Sequence, residues 1–171
     1  MDEVKDKVVL IGMPGCGKTT FGKLLAKELN YKFYDMDDYV EEISGKTVSE
    51  LFEEGEDGFR EWETRACREL VTKKRALISS GGGVIKKDIN VQILREKAII
   101  VFIDRPVENI AEDVEVSTRP LLKDGKDRLY TLYNERCDKY KSAADITIVN
   151  DGFIKDAIDM CKKKLKNVIT N

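Results

Sequence analysis

The sequence predicts an α/β fold of three layers, α/β/α, with helices on both faces of a central five-stranded parallel sheet. Two observations carry this. Five short apolar runs are separated by longer stretches whose apolar residues recur at helical spacing, and strands separated by helices imply a parallel sheet covered on both faces. Residues of chemical interest stand directly after the runs, with Gly12 after the first, Asp35 after the second and Gly81 after the third. Open parallel sheets gather their ligands at the carboxyl ends of their strands. There is no repeat, low-complexity tract or Pro/Gly/Ser linker, so the 171 residues are read as one domain, 1–171.

The elements follow in order. Val8-Val9-Leu10-Ile11 reads as a buried strand, and residues 21–29 as an amphipathic helix. A weaker strand at 32–35 leads into a helix over 37–44. Thr47-Val48-Ser49-Glu50 is a capping-box pattern that opens another short helix. Residues 58–72 are predicted helical, 76–79 a strand, 99–103 the clearest β run and 146–149 a shorter one. An amphipathic helix over about 153–166 closes the chain.

Composition narrows the function. Thirty basic and 32 acidic residues nearly cancel to a net charge of −2, which gives no global attraction to nucleic acid. No apolar run approaches the ~20 residues needed to span a bilayer. The charged start, Met1 to Lys7, lacks the apolar segment of a secretory signal, and a cytoplasmic location is expected. The four cysteines, Cys16, Cys67, Cys137 and Cys161, are scattered without a CxxC pair, which argues against a structural zinc site or a disulfide framework. There is no histidine, so any general base must be a carboxylate, a lysine or something rarer.

Gly12-Met13-Pro14-Gly15-Cys16-Gly17-Lys18-Thr19 matches G-x-x-x-x-G-K-S/T at every fixed position, between a strand and a helix. Glycines let successive N–H groups turn towards phosphate oxygens, and the following helix adds its positive end. Gly15, Cys16, Gly17, Lys18, Thr19 and Thr20 are therefore expected to bind ATP. Lys18 would neutralise phosphate charge, and the Thr19 hydroxyl would ligate Mg²⁺. Cys16 reads as a small residue in a variable loop position, not as a nucleophile.

Asp35 and Asp37 stand just past a strand, where both can reach the site or cap the next helix. Arg60 and Arg136 fall on predicted helices; a guanidinium fork suits a planar carboxylate, although most helical arginines face water, as Arg65, Arg68 and Arg95 are expected to. Gly81-Gly82-Gly83 leaves the backbone bare for close approach of a substrate. Residues 113–126 have weak apolar periodicity and many charges, which suggests a mobile lid carrying Arg119.

Four separated signatures, spanning almost the whole chain, make it resemble the shikimate kinase family. They are the loop 12–20; Phe33-Tyr34-Asp35-Met36-Asp37 with Gly58-Phe59-Arg60-Glu61-Trp62-Glu63; Gly81-Gly82-Gly83-Val84; and Thr118-Arg119-Pro120-Leu121-Leu122. Glu135-Arg136 with Tyr140 is a softer fifth. The resemblance implies a monomeric kinase of phosphate-binding-loop type, with ATP and shikimate as substrates. It implies that Asp35 holds Mg²⁺ through water and that Asp37 contacts the accepting hydroxyl as the candidate base. Arg60 and Arg136 would clamp the shikimate carboxylate, Gly82 would contact shikimate, and Arg119 would be the lid arginine that reaches the phosphates. The chain departs from the family at Glu112, where many members place an arginine against adenine. Residues 150–153 also lack the Arg and Pro often found there.

Overall fold

Val8, Val9, Leu10 and Ile11 are at most 1% exposed, and their strand runs through the middle of the molecule. In this computed structural model, which describes residues 4–116 and 126–170, that strand is β1 (Lys7–Ile11). It pairs with β3 (Ala76–Ser79) on one side and β4 (Ile99–Asp104) on the other. β2 (Lys32–Asp35) and β5 (Ile146–Val149) complete the sheet in the order β2-β3-β1-β4-β5, and every pairing is parallel. Continuous burial on both faces is what all-parallel pairing requires. Each fully buried Val, Leu or Ile contributes about 1.5–3 kcal/mol over its exposed state.

The helices are α1 (Lys18–Leu29), α2 (Met36–Ser44), α3 (Val48–Glu54), α4 (Glu56–Leu70), α5 (Asp88–Lys97), α6 (Val107–Val116), α7 (Lys126–Ala143) and α8 (Ile154–Leu165). A 3₁₀ turn, Val84–Lys86, follows the three glycines. Local chemistry explains several boundaries. Thr47 Oγ1 accepts from Glu50 N at 3.1 Å and donates to the Glu50 carboxylate at 3.2 Å, so the expected cap opens α3. α1 ends at Asn30, and α2 at Gly45, both in the left-handed conformation that stops a helix. Pro106 precedes α6, supplying the fixed φ of a first turn.

Three helical expectations need adjustment. α1 begins at Lys18 rather than residue 21, so the motif lysine and Thr19 lie on the helix itself. α5 and α6 are helices that the apolar pattern did not mark. Of the segment expected to form a lid, the backbone at 113–116 continues α6 and Lys126 starts α7, while 117–125 lie outside the described residues. Arg95 does more than face water: its Nη2 donates to the carbonyls of Ser142 and Ala143 at 3.0 and 2.9 Å, tying α5 to the end of α7. Cys16, Cys67, Cys137 and Cys161 are all buried free thiols.

The strand order places a switch point at β1, because the strands that follow it first, β2 and β3, lie on one side of it and the later ones, β4 and β5, on the other. Such points open a crevice beyond the strand carboxyl ends. The loops that follow all five strands meet there.

Candidate active site

Gly17 is the N-cap of α1 at φ 91° and supplies no side-chain cap. The first-turn amides of the helix therefore present their positive end to the crevice, as an anion site needs. Gly12 has no room for a side chain, since a Cβ there would stand 2.7 Å from the Ile103 carbonyl oxygen. Lys18, only 8% exposed, folds back and donates to the Gly12 and Met13 carbonyls at 2.8 and 3.0 Å. Two braces hold the loop from behind. Arg105 Nη1 donates to Gly15 O at 3.0 Å, and Asn150 Nδ2 donates to Cys16 O at 3.2 Å. Neither was singled out from sequence, yet Asn150 follows its apolar run directly and Arg105 stands two residues past Ile103, the kind of position that had marked Gly12, Asp35 and Gly81.

Strand register sets the next pair. Asp35 lies opposite Ser79 in the β2–β3 ladder, so two residues further on Asp37 and Gly81 come together. A Cβ on Gly81 would be 3.1 Å from Asp37 Oδ1. Asp35 does cap α2, accepting from Asp37 N at 2.9 Å and Asp38 N at 3.2 Å. Both bonds fall on Oδ1, and the cap leaves Oδ2 unused. Burial raises the Asp37 carboxyl above the usual aspartate range, the Asp35 charge adds to this, and Lys18 partly opposes it. Ser80 turns inward and donates to Leu10 O at 2.6 Å, so its hydroxyl is spent on the sheet.

Arg60 is held on α4 by its own helix. Nη1 donates to Glu63 Oε1 at 2.9 Å and Nη2 to Glu56 Oε1 at 3.1 Å. Glu63 is 1% exposed, and its Oε2 has no hydrogen-bond partner among the described residues. Burial raises its carboxyl despite the Arg60 charge beside it. Glu63 lies within a motif quoted above but was given no role from sequence; its spacing, three residues after Arg60, was the available signal. Gly83 makes room for the guanidinium, because a Cβ there would lie 2.5 Å from both terminal nitrogens. At Gly82 a Cβ would press on the Pro14 ring at 2.8 Å, so the glycine turn and the phosphate loop touch. Tyr140 Oη donates to Gly82 O, fixing that turn to α7, and burial pushes the phenol up to about 12.

Asp37, Arg60, Gly82 and Arg136, on four different segments, line one cavity of about 240 Å³ that Pro14 joins to the loop. Glu56, Lys86 and Arg128 bring further charge to its wall. Thr19 and Thr20 are exposed in the first turn of α1. Arg119 lies outside the described residues.

A parallel sheet with a phosphate-binding loop at its switch point, next to a small cavity walled by acids and guanidinium groups, defines a nucleotide-dependent kinase of small molecules. The family model described as shikimate kinase matches residues 14–166. The chain is similar to a shikimate kinase from Clostridium botulinum (strain Alaska E43 / Type E3), with 54% identity over 164 residues that cover 96% of this chain and 99% of that one. Among solved structures it resembles shikimate kinase from Bacteroides thetaiotaomicron, with TM-score 0.87, 30% identity and coverage of 94% and 98%. It also resembles the Acinetobacter baumannii shikimate kinase in complex with shikimate, with TM-score 0.85, 34% identity and coverage of 96% and 95%. The chain belongs to the shikimate kinase family, whose activity is phosphoryl transfer from ATP to shikimate. Among the described residues no helix is long and apolar enough to cross a membrane.

Proposed function

We propose that this chain, acting as a single cytoplasmic domain and a monomer, moves the γ-phosphoryl group of ATP onto the 3-hydroxyl of shikimate. The observation that carries the proposal is the shared cavity, which sets Asp37 and two guanidinium groups, Arg60 and Arg136, around one small space beside the phosphate loop. Lys18 and the amides of residues 15–20 hold the triphosphate; the ammonium exchanges its loop carbonyls for phosphate oxygens. Arg60 and Arg136 grip the carboxylate of the acid, which fixes its ring against the bare backbone at Gly82. The accepting hydroxyl is then directed at Asp37. A carboxylate raised by burial is a better proton acceptor than an ordinary aspartate, provided that it is ionised. Phosphoryl transfer asks little of its base and much of positioning, which suits a site built from clamps.

Mg²⁺ fits the residues present. The Thr19 hydroxyl and the spare Asp35 oxygen are hard oxygen donors, and Mg²⁺ is commonly held by one or two carboxylates with substrate phosphates and water. Bound there, the ion would neutralise phosphate charge. Arg119 is assigned to the lid of residues 113–126, where it would meet the transferring group and closure would exclude water.

A coupled assay of ADP release tests the proposal, run with shikimate, gluconate and nucleoside monophosphates, each with and without Mg²⁺. Turnover is expected with shikimate alone and should vanish on chelation and return with added Mg²⁺. Comparable turnover with gluconate or a nucleotide would overturn the substrate assignment.

A further inference from the structure

The guanidinium of Arg60 does not wait open for a ligand. Glu56, one helical turn earlier on α4, places Oε1 3.1 Å from Nη2 and 3.4 Å from Nε. The same oxygen accepts from Lys86 Nζ at 2.8 Å, across from the 3₁₀ turn after the glycines. Glu63 covers Nη1. Two carboxylates thus occupy the fork, but they differ in freedom: the Glu63 side chain is 1% exposed, whereas that of Glu56 is 47% exposed at the cavity wall. Glu63 cannot leave without stranding a buried charge. Glu56 can swing into water, and on leaving Arg60 it still has Lys86 as a partner.

We propose that Glu56 is a built-in competitor for the substrate carboxylate at Arg60, and that Lys86 is the cation that receives Glu56 when the substrate displaces it. The inference rests on the reading of Arg60 as the carboxylate clamp. Its consequence is selectivity: a neutral ligand cannot trade places with a carboxylate at the fork, so it gains nothing from Arg60 while Glu56 stays there. Lys86 lowers the cost of exchange, because no charge is left unpaired on either side of it.

The test measures KM for shikimate against KM for ATP, with shikimate affinity read separately by Trp62 fluorescence in the absence of nucleotide. Glu56→Gln should lower shikimate KM about threefold to fivefold, the scale of one exposed ion pair, with no matching change for ATP. Glu56→Asp keeps the charge but withdraws its reach, and should lower shikimate KM in the same direction; a wild-type value there, beside a lowered one in Glu56→Gln, would mean a field effect and overturn the contact. Lys86→Met should raise shikimate KM about twofold to threefold in the native background and change nothing further on top of Glu56→Gln. An equal rise in both backgrounds would overturn the receiving role of Lys86. A shikimate KM unchanged or raised by Glu56→Gln would overturn the competition itself. Arg60→Lys is the independent check: if it leaves shikimate KM at wild type, the clamp fails, whereas a raised value there beside an unaltered Glu56→Gln sinks the exchange alone.

Discussion

Asp37 combines two demands that pull against each other. Burial and the Asp35 charge favour its neutral form, while the proposed role needs it ionised. Its carboxyl is raised in the fold, so its contribution to stability is fully present below the ordinary aspartate pKa of ~3.9 and is lost as pH rises through the raised folded value. At pH 7 the ionised group therefore costs stability. Asp37→Asn is expected to melt at a higher temperature than wild type at pH 7, with the gap closing as pH falls towards ~4, while kcat drops by about 100-fold or more. Scanning calorimetry across pH, paired with steady-state kinetics, checks both halves; a lower melting temperature at pH 7 would contradict the burial argument. At this scale the sequence was legible where chemistry restricts residue type. The absence of histidine left a carboxylate as the natural base, and the fixed motif positions identified Lys18 and Thr19. Glu63 stood in a quoted motif three residues after Arg60 and was passed over, whereas the braces from Arg105 and Asn150 end on main-chain carbonyls, which residue type alone does not reveal.

The glycine turn after β3 shows what an element contributes when it has no side chains. It lies between Pro14 of the phosphate loop and the Arg60 guanidinium, and touches both. Gly83→Ala would put a methyl group 2.5 Å from the two terminal nitrogens of Arg60 and force the fork to move. Shikimate KM should rise at least about tenfold, as misplacing a positioning group does, with a much smaller effect on ATP. Gly82→Ala presses on Pro14 instead and should weaken both substrates together. Kinetics on the two variants tell these apart, and identical KM profiles would show that the turn does not separate the two sites. Strands and caps were readable because a run such as Val8 to Ile11, or Thr47 with Glu50, carries its own physical reason. α5 and α6 were not marked by the apolar pattern, and α5 has no side-chain cap to announce its start. Their helicity comes from packing and from anchors such as Arg95 on the α7 carbonyls, contacts made only once the chain has folded.

Across the molecule, parallel pairing brings the ends of all five strands to one edge, and this is why a linear rule about residues after apolar runs found so much of the site. The fold class was legible for the same reason. Side-chain grouping came only through the family resemblance: the meeting of α4 and α7 around one cavity depends on how long helices lie over the sheet, which spacing along the chain does not encode. The four thiols offer a way to watch the whole assembly breathe. Each is sealed inside a different part of the protein, Cys16 within the phosphate loop, Cys67 on α4, Cys137 on α7 and Cys161 on α8. An alkylating reagent can reach them only through transient openings, so the four labelling rates report four local opening equilibria in one unmodified chain. Added nucleotide should slow Cys16 most and Cys161 least, and site-resolved mass spectrometry would read the difference. The natural cysteine pattern is thus a ready set of clocks, with Cys16 in the phosphate loop read against Cys161 on α8.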